Sequence, residues 1–429
     1  MSTPRRRVGA GVAGIGVAIG VASVAGYALL VLTGRMLTPA EYGLFVSFWG
    51  VLFGIGGSLS IVEQEAARQT ATRPGERLPS MHAVAVSAAV LAGLMAAATL
   101  LPPVALRLYG DANSRIGLVV VLAAIGFAVQ FAVRGTLIGS GAVRQYAGIV
   151  VAEAVARLAV LLALAAAFGV NLSTAAIAVG SGSYAWLAWL AHARRVAPWM
   201  RLDSREWGAV FRRTASLMVA AALTASVITG YPAMVTALTD RAPGNAGGAV
   251  FAALTVSRVP LLLVSPLQAV AVPAVVRWRA HAHSSGGSRL RRLLIAGSLL
   301  AVALGIIGGA AGWLWGPAVV RLVYGPAYDV ASAVVATLVL SAFLLAWVLL
   351  MSAALVALAA YRRMTVMWLA AAGTTAVWLA ASPMGVVETT AVGALVGPIA
   401  AAAFGVFTLW SLTSPASPPA SAPSQASMP

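Results

Sequence analysis

Apolar residues run along this chain in long blocks separated by short polar stretches. A helix crosses the hydrocarbon of a bilayer with about 20 such residues. Twelve blocks reach that length, at 9–33, 43–62, 81–103, 116–139, 147–169, 173–192, 214–239, 248–275, 293–316, 328–360, 364–382 and 389–411. The tenth is long enough to hold extra length outside the bilayer or a tilt. The first follows MSTPRRR, as a signal peptide would, but runs to about Leu32. A cleaved signal has a core of only ~7–15 residues, so the block reads as a retained first helix. The pattern predicts an all-α, polytopic membrane protein of twelve transmembrane helices.

Charge supports that count. With Arg5, Arg6 and Arg7 on the cytoplasmic side, the loops on that side hold 21 of the 28 basic residues, all of them arginine. The outward loops hold five (Arg35, Arg107, Arg115, Arg241 and Arg321), and Arg157 and Arg258 remain within spans. This asymmetry orients the chain in the cytoplasmic (inner) membrane with both termini cytoplasmic. It also explains the net charge of +17 without a nucleic-acid partner. A composition 61% hydrophobic and 9% charged makes membrane lipid the solvent for most of the chain. The chain has no cysteine, which excludes disulfides, thiolate metal sites and thiol nucleophiles. His281 and His283 read as a solvated pair, and no metal or other cofactor is implied.

The longest hydrophilic interruption, 193–213, falls between the sixth and seventh blocks. Ser204 can cap a short helix there, with Trp207, Val210 and Phe211 on one face and Arg205, Arg212 and Arg213 on the other, suited to the inner membrane surface. The chain then divides into a cytoplasmic N-terminus (1–8), an N-lobe (9–192), this amphipathic linker (193–213), a C-lobe (214–411) and a Pro/Ser/Ala-rich tail (412–429) expected to be disordered. LRLYGDA (Leu106–Ala112) and VRLVYGPA (Val320–Ala327) suggest that the six-helix lobes repeat one another, as transporters often do, with cargo bound between the repeats.

Some residues are costly where they stand. Arg258 lies deep in the eighth block, where an arginine costs ~2.5–3.5 kcal/mol. Pro260, Pro266 and Pro273 follow it and bend the helix. It either contacts freed backbone carbonyls or lines a wet cavity that receives an anionic cargo group. Glu153 precedes Arg157 by four residues, which makes a self-neutralised pair. Glu153 is also the one acid well inside the membrane and so the candidate for proton coupling. Glu63, Glu65 and Arg68 close the second block as an interfacial ion cluster or a gate. Glycines at 9, 11, 14, 16, 20 and 26, and at 50, 54, 56 and 57, allow close helix contact or bending.

At these residues the chain resembles a known family. GRMLTPAEYGLF (Gly34–Phe45), EQEAAR (Glu63–Arg68), RGTLIGSGAVRQYAGIVVAEAVARL (Arg134–Leu158), VSRVPLLLVSPLQAVAVP (Val256–Pro273) and LVALAAYRRMTVMW (Leu355–Trp368) are similar, in order and placement, to motifs of polysaccharide-export membrane proteins. These are lipid-linked oligosaccharide flippases of the multidrug/oligosaccharidyl-lipid/polysaccharide (MOP) exporter superfamily. The resemblance spans about residues 9 to 410. It implies a MOP/MATE-like carrier that moves a polyprenyl-(di)phosphate-linked glycan across the cytoplasmic membrane by alternating access, alongside envelope glycosyltransferases. It carries Arg258 over to the cavity and Arg35 to the first-helix motif; Gln268 is a further candidate cavity residue. The chain departs from the family in its few intramembrane acids and few candidate cavity arginines.

Other readings stay open. A major-facilitator solute or drug exporter also has twelve helices, but the loop Glu63–Ser80 lacks the Gly-x-x-x-Asp-Arg pattern such pumps share. A polyprenyl-linked glycosyltransferase needs carboxylates gathered in long outward loops, and here Glu41, Asp111, Asp240, Asp329 and Glu388 are scattered. A non-transporting partner of envelope enzymes is a third. No phosphate-binding glycine loop next to a lysine is present, which argues against ATP-driven transport by this chain alone.

Overall fold

The computed structural model describes residues 4–72, 79–196, 207–239, 244–264, 267–268, 275–276 and 286–412, and its regular structure is entirely helical. The helices are α1 (Pro4–Met36), α2 (Pro39–Thr72), α3 (Pro79–Ala98), α4 (Pro102–Tyr109), α5 (Asn113–Gly139), α6 (Val143–Phe168), α7 (Leu172–Ser181) and α8 (Leu190–Val196). The second half of the chain supplies α9 (Trp207–Ile228), α10 (Tyr231–Leu238), α11 (Gly244–Ser257), α12 (Gly286–Tyr324), α13 (Ser332–Ala357), α14 (Tyr361–Ala381) and α15 (Val386–Leu412). Short 3-10 turns follow α7 (Gly182–Trp189) and α11 (Val259–Leu263).

Among the described residues ten helices are long and apolar enough to cross a membrane, and α3 with α4 makes an eleventh span bent by 83°. Pro102 and Pro103 open α4, and a proline disfavours helix at the residue before it, which places that bend. The remaining predicted span, the sixth, is the run Leu172–Val196, in which the 3-10 turn separates α7 from α8. The chain is thus a multi-pass membrane protein with approximately the twelve spans its hydropathy predicts.

Three elements differ from expectation. The seventh span breaks at Thr229 and Gly230, because Pro232 has no N–H to donate to the carbonyl four residues back. Trp207–Arg213, expected as a separate surface helix, forms the first turns of α9 instead. The longest helix is α12, 39 residues, and α13 takes only 26 of the long tenth block. Tyr328 to Ala331 precede α13 without regular structure, and Ala359, at a left-handed φ of 55°, follows its end. Ser204, Pro266, Pro273, His281, His283 and the tail beyond 412 lie outside the described residues.

Packing centres on α2, which contacts α5 in the first half of the chain and α9, α10 and α11 in the second. Tyr42, Phe45, Phe48, Leu52 and Leu59 of α2 are fully buried. Two of its glycines serve close approach: a Cβ at Gly50 would lie 3.1 Å from the Ala233 nitrogen, and one at Gly57 2.6 Å from the Ala225 Cβ. The glycines of α1 do not. Gly14, Gly16, Gly20 and Gly26 face open space, so only the bending half of the sequence reading suits them. Just 11% of the α1 span is buried, against 67% of the α2 span.

Candidate functional site

A cavity of about 500 Å3 lies between the two halves of the chain. The first half lines it from α1, α2, α5 and α6, the second from the α9–α10 break, α11 and the turn after α11. Three arginines (Arg134, Arg157 and Arg258) and one acid (Glu153) are the ionisable groups of opposite sign in its wall, with Tyr27 beside them. The lining therefore carries a formal excess of positive charge.

Arg258 stands where α11 ends and Pro260 turns the chain into a 3-10 helix. Its guanidinium donates to the Ile228 carbonyl and, at 3.3 Å, to the Val227 carbonyl. Ile228 is the residue whose carbonyl Pro232 leaves without a helical donor, so one proline supplies the acceptor that anchors the arginine. A cation at the last carbonyls of α9 also meets the negative end of its dipole. The Tyr231 ring lies 5.7 Å from the guanidinium. Among the described residues no carboxylate pairs with Arg258. The side chain contacts backbone carbonyls and also lines the cavity. The carbonyls come from α9 and not from the prolines of its own segment, whose later members, Pro266 and Pro273, lie outside the described residues.

On the facing wall the charges are tied together. Arg157 donates to Glu153 Oε1 and, through Nε at 3.3 Å, to the Val179 carbonyl. Gln130 donates to Glu153 Oε2 at 2.7 Å, and Arg134 lies 3.7 Å from the same oxygen. Arg134 also pairs with Glu63 at 3.1 Å, and the Tyr146 hydroxyl donates to Glu63 at 2.9 Å. Phe53 and Phe127 lie under the Arg157 guanidinium, at 4.9 and 5.7 Å. Gly182 gives the side chain room, since a Cβ there would sit 2.5 Å from Arg157 Nε.

The arginine count groups Arg134, five residues before the end of the fourth block, with the loop residues. Arg134 stands one turn inside the end of α5, mostly buried, and with Glu63 extends the expected Glu153–Arg157 pair into a four-member network. The supply of cavity arginines is accordingly larger than expected. Gln130 and Tyr146 were also missed; a polar residue deep in a span was the available signal for Gln130. Glu63 does not share a cluster with Glu65 and Arg68. Those two pair at 2.7 Å near the end of α2, where Gln69 donates to Glu65 and Arg213 of α9 approaches it to 3.8 Å.

Two expected cavity residues lie elsewhere. Arg35 ends α1 and donates to the Val323 and Leu322 carbonyls at 2.6 and 2.5 Å, capping the C-terminus of α12. The cavity-lining residues of α1 end at Leu30, five residues before Arg35, and the Arg35 side chain turns to the end of α12 and is not in the cavity wall. Gln268 donates to the Leu349 carbonyl of α13 at 2.9 Å and is not in the cavity wall. Near Arg35 the halves meet closely: Tyr328 donates to the Gly34 carbonyl at 2.6 Å, and Tyr42 donates to the Tyr324 hydroxyl at 3.1 Å. Burial pushes the Tyr328 hydroxyl up from its ordinary range.

No family model matches the chain. The uncharacterized protein Rv3630 of Mycobacterium tuberculosis is 30% identical over 397 residues, 90% of this chain and 89% of that protein. The uncharacterized protein Rv1510 of the same species is 31% identical over 405 residues, 93% and 91% respectively. Among solved structures, the inward-facing conformation of a multidrug resistance MATE family transporter of the MOP superfamily matches with a TM-score of 0.66 at 16% identity, covering 90% of this chain and 94% of that one. An outward-facing conformation of such a transporter matches at 0.56 and 15% identity, covering 94% and 95%. A MOP superfamily transporter from Pyrococcus furiosus, reported to have a binding pocket of reverse polarity, matches at 0.53 and 12% identity, covering 96% and 98%. The fold is that of the MOP superfamily transporters.

Proposed function

We propose, since the chain belongs to one family with these mycobacterial proteins and has the MOP transporter fold, that it is a membrane transporter whose cargo is a polyprenyl-(di)phosphate-linked saccharide. It carries that lipid across the cytoplasmic membrane for cell-envelope polysaccharide assembly. The two halves of the chain act as N- and C-lobes that rock about the cavity between them, and both termini face the cytoplasm. Envelope glycosyltransferases are the partners that supply and consume the cargo.

One observation carries this reading: the cavity wall holds Arg258, whose partners among the described residues are backbone carbonyls and the Tyr231 ring, with no carboxylate to offset its charge. A guanidinium forms strong, two-pronged, charge-assisted bonds with phosphate oxygens. With Arg134 and Arg157 offset by Glu63 and Glu153, Arg258 leaves the wall a net positive charge, which favours an anion over a cationic drug. Pro260 and Pro232 set the anchor, Glu153 and Arg157 oppose it, and Glu65, Arg68 and Arg213 form a gate where the two halves approach on the arginine-rich face.

The test is export in living cells. A strain lacking the gene should accumulate lipid-linked saccharide in the cytoplasmic leaflet, and the wild-type gene should clear it. Arg258→Ala and Arg258→Glu, expressed at normal levels, should not clear it. Clearance by both variants at the wild-type rate removes the proposal.

A further inference from the structure

We infer that Arg157 is the second half of the anion site and that Glu153 is its internal counter-ion, a built-in carboxylate that the cargo phosphate displaces. This deepens the proposed function and rests on it for the class of cargo, a lipid phosphate or diphosphate.

The geometry is divided between the two oxygens of Glu153. Oε1 receives Arg157, whereas Oε2 receives Gln130 at 2.7 Å and faces Arg134 at 3.7 Å. Turning Arg157 toward the cavity breaks only the Oε1 contact. Glu153 keeps Gln130 and Arg134, and Arg134 keeps Glu63. The carboxylate is never left bare in the bundle, which is the condition under which separating a buried pair is most unfavourable. A phosphate then takes the place of one carboxylate oxygen, charge for charge.

Arg157 is also built to pivot and not to collapse. Its Nε holds the Val179 carbonyl, Phe53 and Phe127 lie beneath the guanidinium plane, and Gly182 leaves it the space a Cβ would fill. Arg157 and Arg258 line one cavity from opposite halves of the chain, so a diphosphate held by both bridges the halves. Before cargo arrives, Glu153 neutralises one wall and keeps adventitious small anions from occupying it. Discrimination follows: an anion must bind both arginines to compete with an intramolecular carboxylate.

Binding to the purified full-length protein decides it, with geranyl diphosphate and inorganic pyrophosphate as probes in isothermal titration. Glu153→Gln is nearly isosteric and should bind geranyl diphosphate about tenfold tighter than wild type. Arg157→Gln should bind it at least tenfold more weakly. The double variant should bind far more weakly than Glu153→Gln and close to Arg157→Gln, because the gain on removing the carboxylate comes mainly through Arg157, with Arg134 still held by Glu63. Melting temperature and elution profile identify any variant that misfolds, and the double variant, which leaves no unpaired charge, then supplies the comparison. Wild-type or weaker binding by Glu153→Gln overturns the inference and makes the pair structural. Loss of binding in Arg258→Ala with none in Arg157→Gln removes this site and leaves the flippase reading standing. The reverse pattern sustains this site and removes the reading centred on Arg258.

Discussion

At the scale of single residues, the position most in need of explanation is an arginine in a hydrocarbon-depth helix. Arg258 is tolerated because Pro232 withholds the N–H that would otherwise occupy the Ile228 carbonyl. The two residues, on separate helices, form one device, and that gives a prediction with opposed signs. Pro232→Ala restores the missing donor and removes a helix interruption worth up to about 3 kcal/mol. The melting temperature of the purified protein should rise by a few degrees. Export of lipid-linked saccharide should fall, because the carbonyl that aims Arg258 is now taken by backbone. Unchanged export in a stabilised variant would sever the link. Arg258→Lys, which keeps the charge but loses the fork, should fall between wild type and Arg258→Ala; a charge-assisted bond is worth about 1.5–3 kcal/mol, or roughly 10- to 150-fold in cargo affinity measured by titration.

At the scale of elements, what the sequence could show was decided by how local the cause is. Span length is a one-dimensional quantity set by bilayer thickness, so the helices were legible, and so was the pair Glu153–Arg157, four residues apart on one helix. Arg134 was not legible, because an arginine one turn from the end of a span has the same hydropathy signature as a loop arginine. Its partner, Glu63, lies on α2, and nothing in the local pattern joins them. Arg35 failed differently: its motif was read as cavity, whereas its acceptors are the final carbonyls of α12, nearly 290 residues on. The glycine reading split by helix: Gly50 and Gly57 of α2 make the close contacts and Gly14, Gly16, Gly20 and Gly26 of α1 make none, since spacing reports that a helix can be approached closely but not that another helix is there. Gly248 is the sharpest case of real contact, where a Cβ would lie 1.7 Å from the Pro39 carbonyl oxygen, a backbone atom unable to move aside. Gly248→Ala should therefore push α11 away from the start of α2, lower the melting temperature by several degrees and loosen the face on which Arg35 lies. Thermal unfolding of the detergent-purified variant checks this; an unchanged melting temperature would mean that the contact yields more easily than its geometry implies.

At the scale of the whole molecule, the polar contacts between halves are unequal among the described residues at the two ends of the cavity. On the face bearing Arg35 the halves are joined by Arg35 to two carbonyls, Tyr328 to Gly34, Tyr42 to Tyr324 and, at 3.2 Å, the Ala40 amide to Asn245. On the arginine-rich face the approach of Glu65 and Arg213 is a loose 3.8 Å between exposed and partly buried groups, a contact of little energy on its own. In the proposed cycle the cavity opens toward the arginine-rich face while the tyrosine and Arg35 contacts hold, and transport requires those contacts to part. Because the protein has no cysteine, single reporters can follow this without background. Ser23→Cys lines the cavity, and Ser47→Cys replaces a buried hydroxyl 2.5 Å from the Thr236 hydroxyl where the halves meet. In sealed vesicles of known orientation, a membrane-impermeant maleimide should label position 23 only from the arginine-rich side and should leave position 47 unlabelled from either side. Adding Tyr328→Phe, which removes the hydrogen bond to Gly34 at a cost of about 1 kcal/mol, should shift the balance toward opening by roughly fivefold and make position 47 react from the opposite side. Labelling of position 23 from both sides in the parent protein would show a continuous pore in place of a cavity with two alternating doors, and alternating access would fall with it.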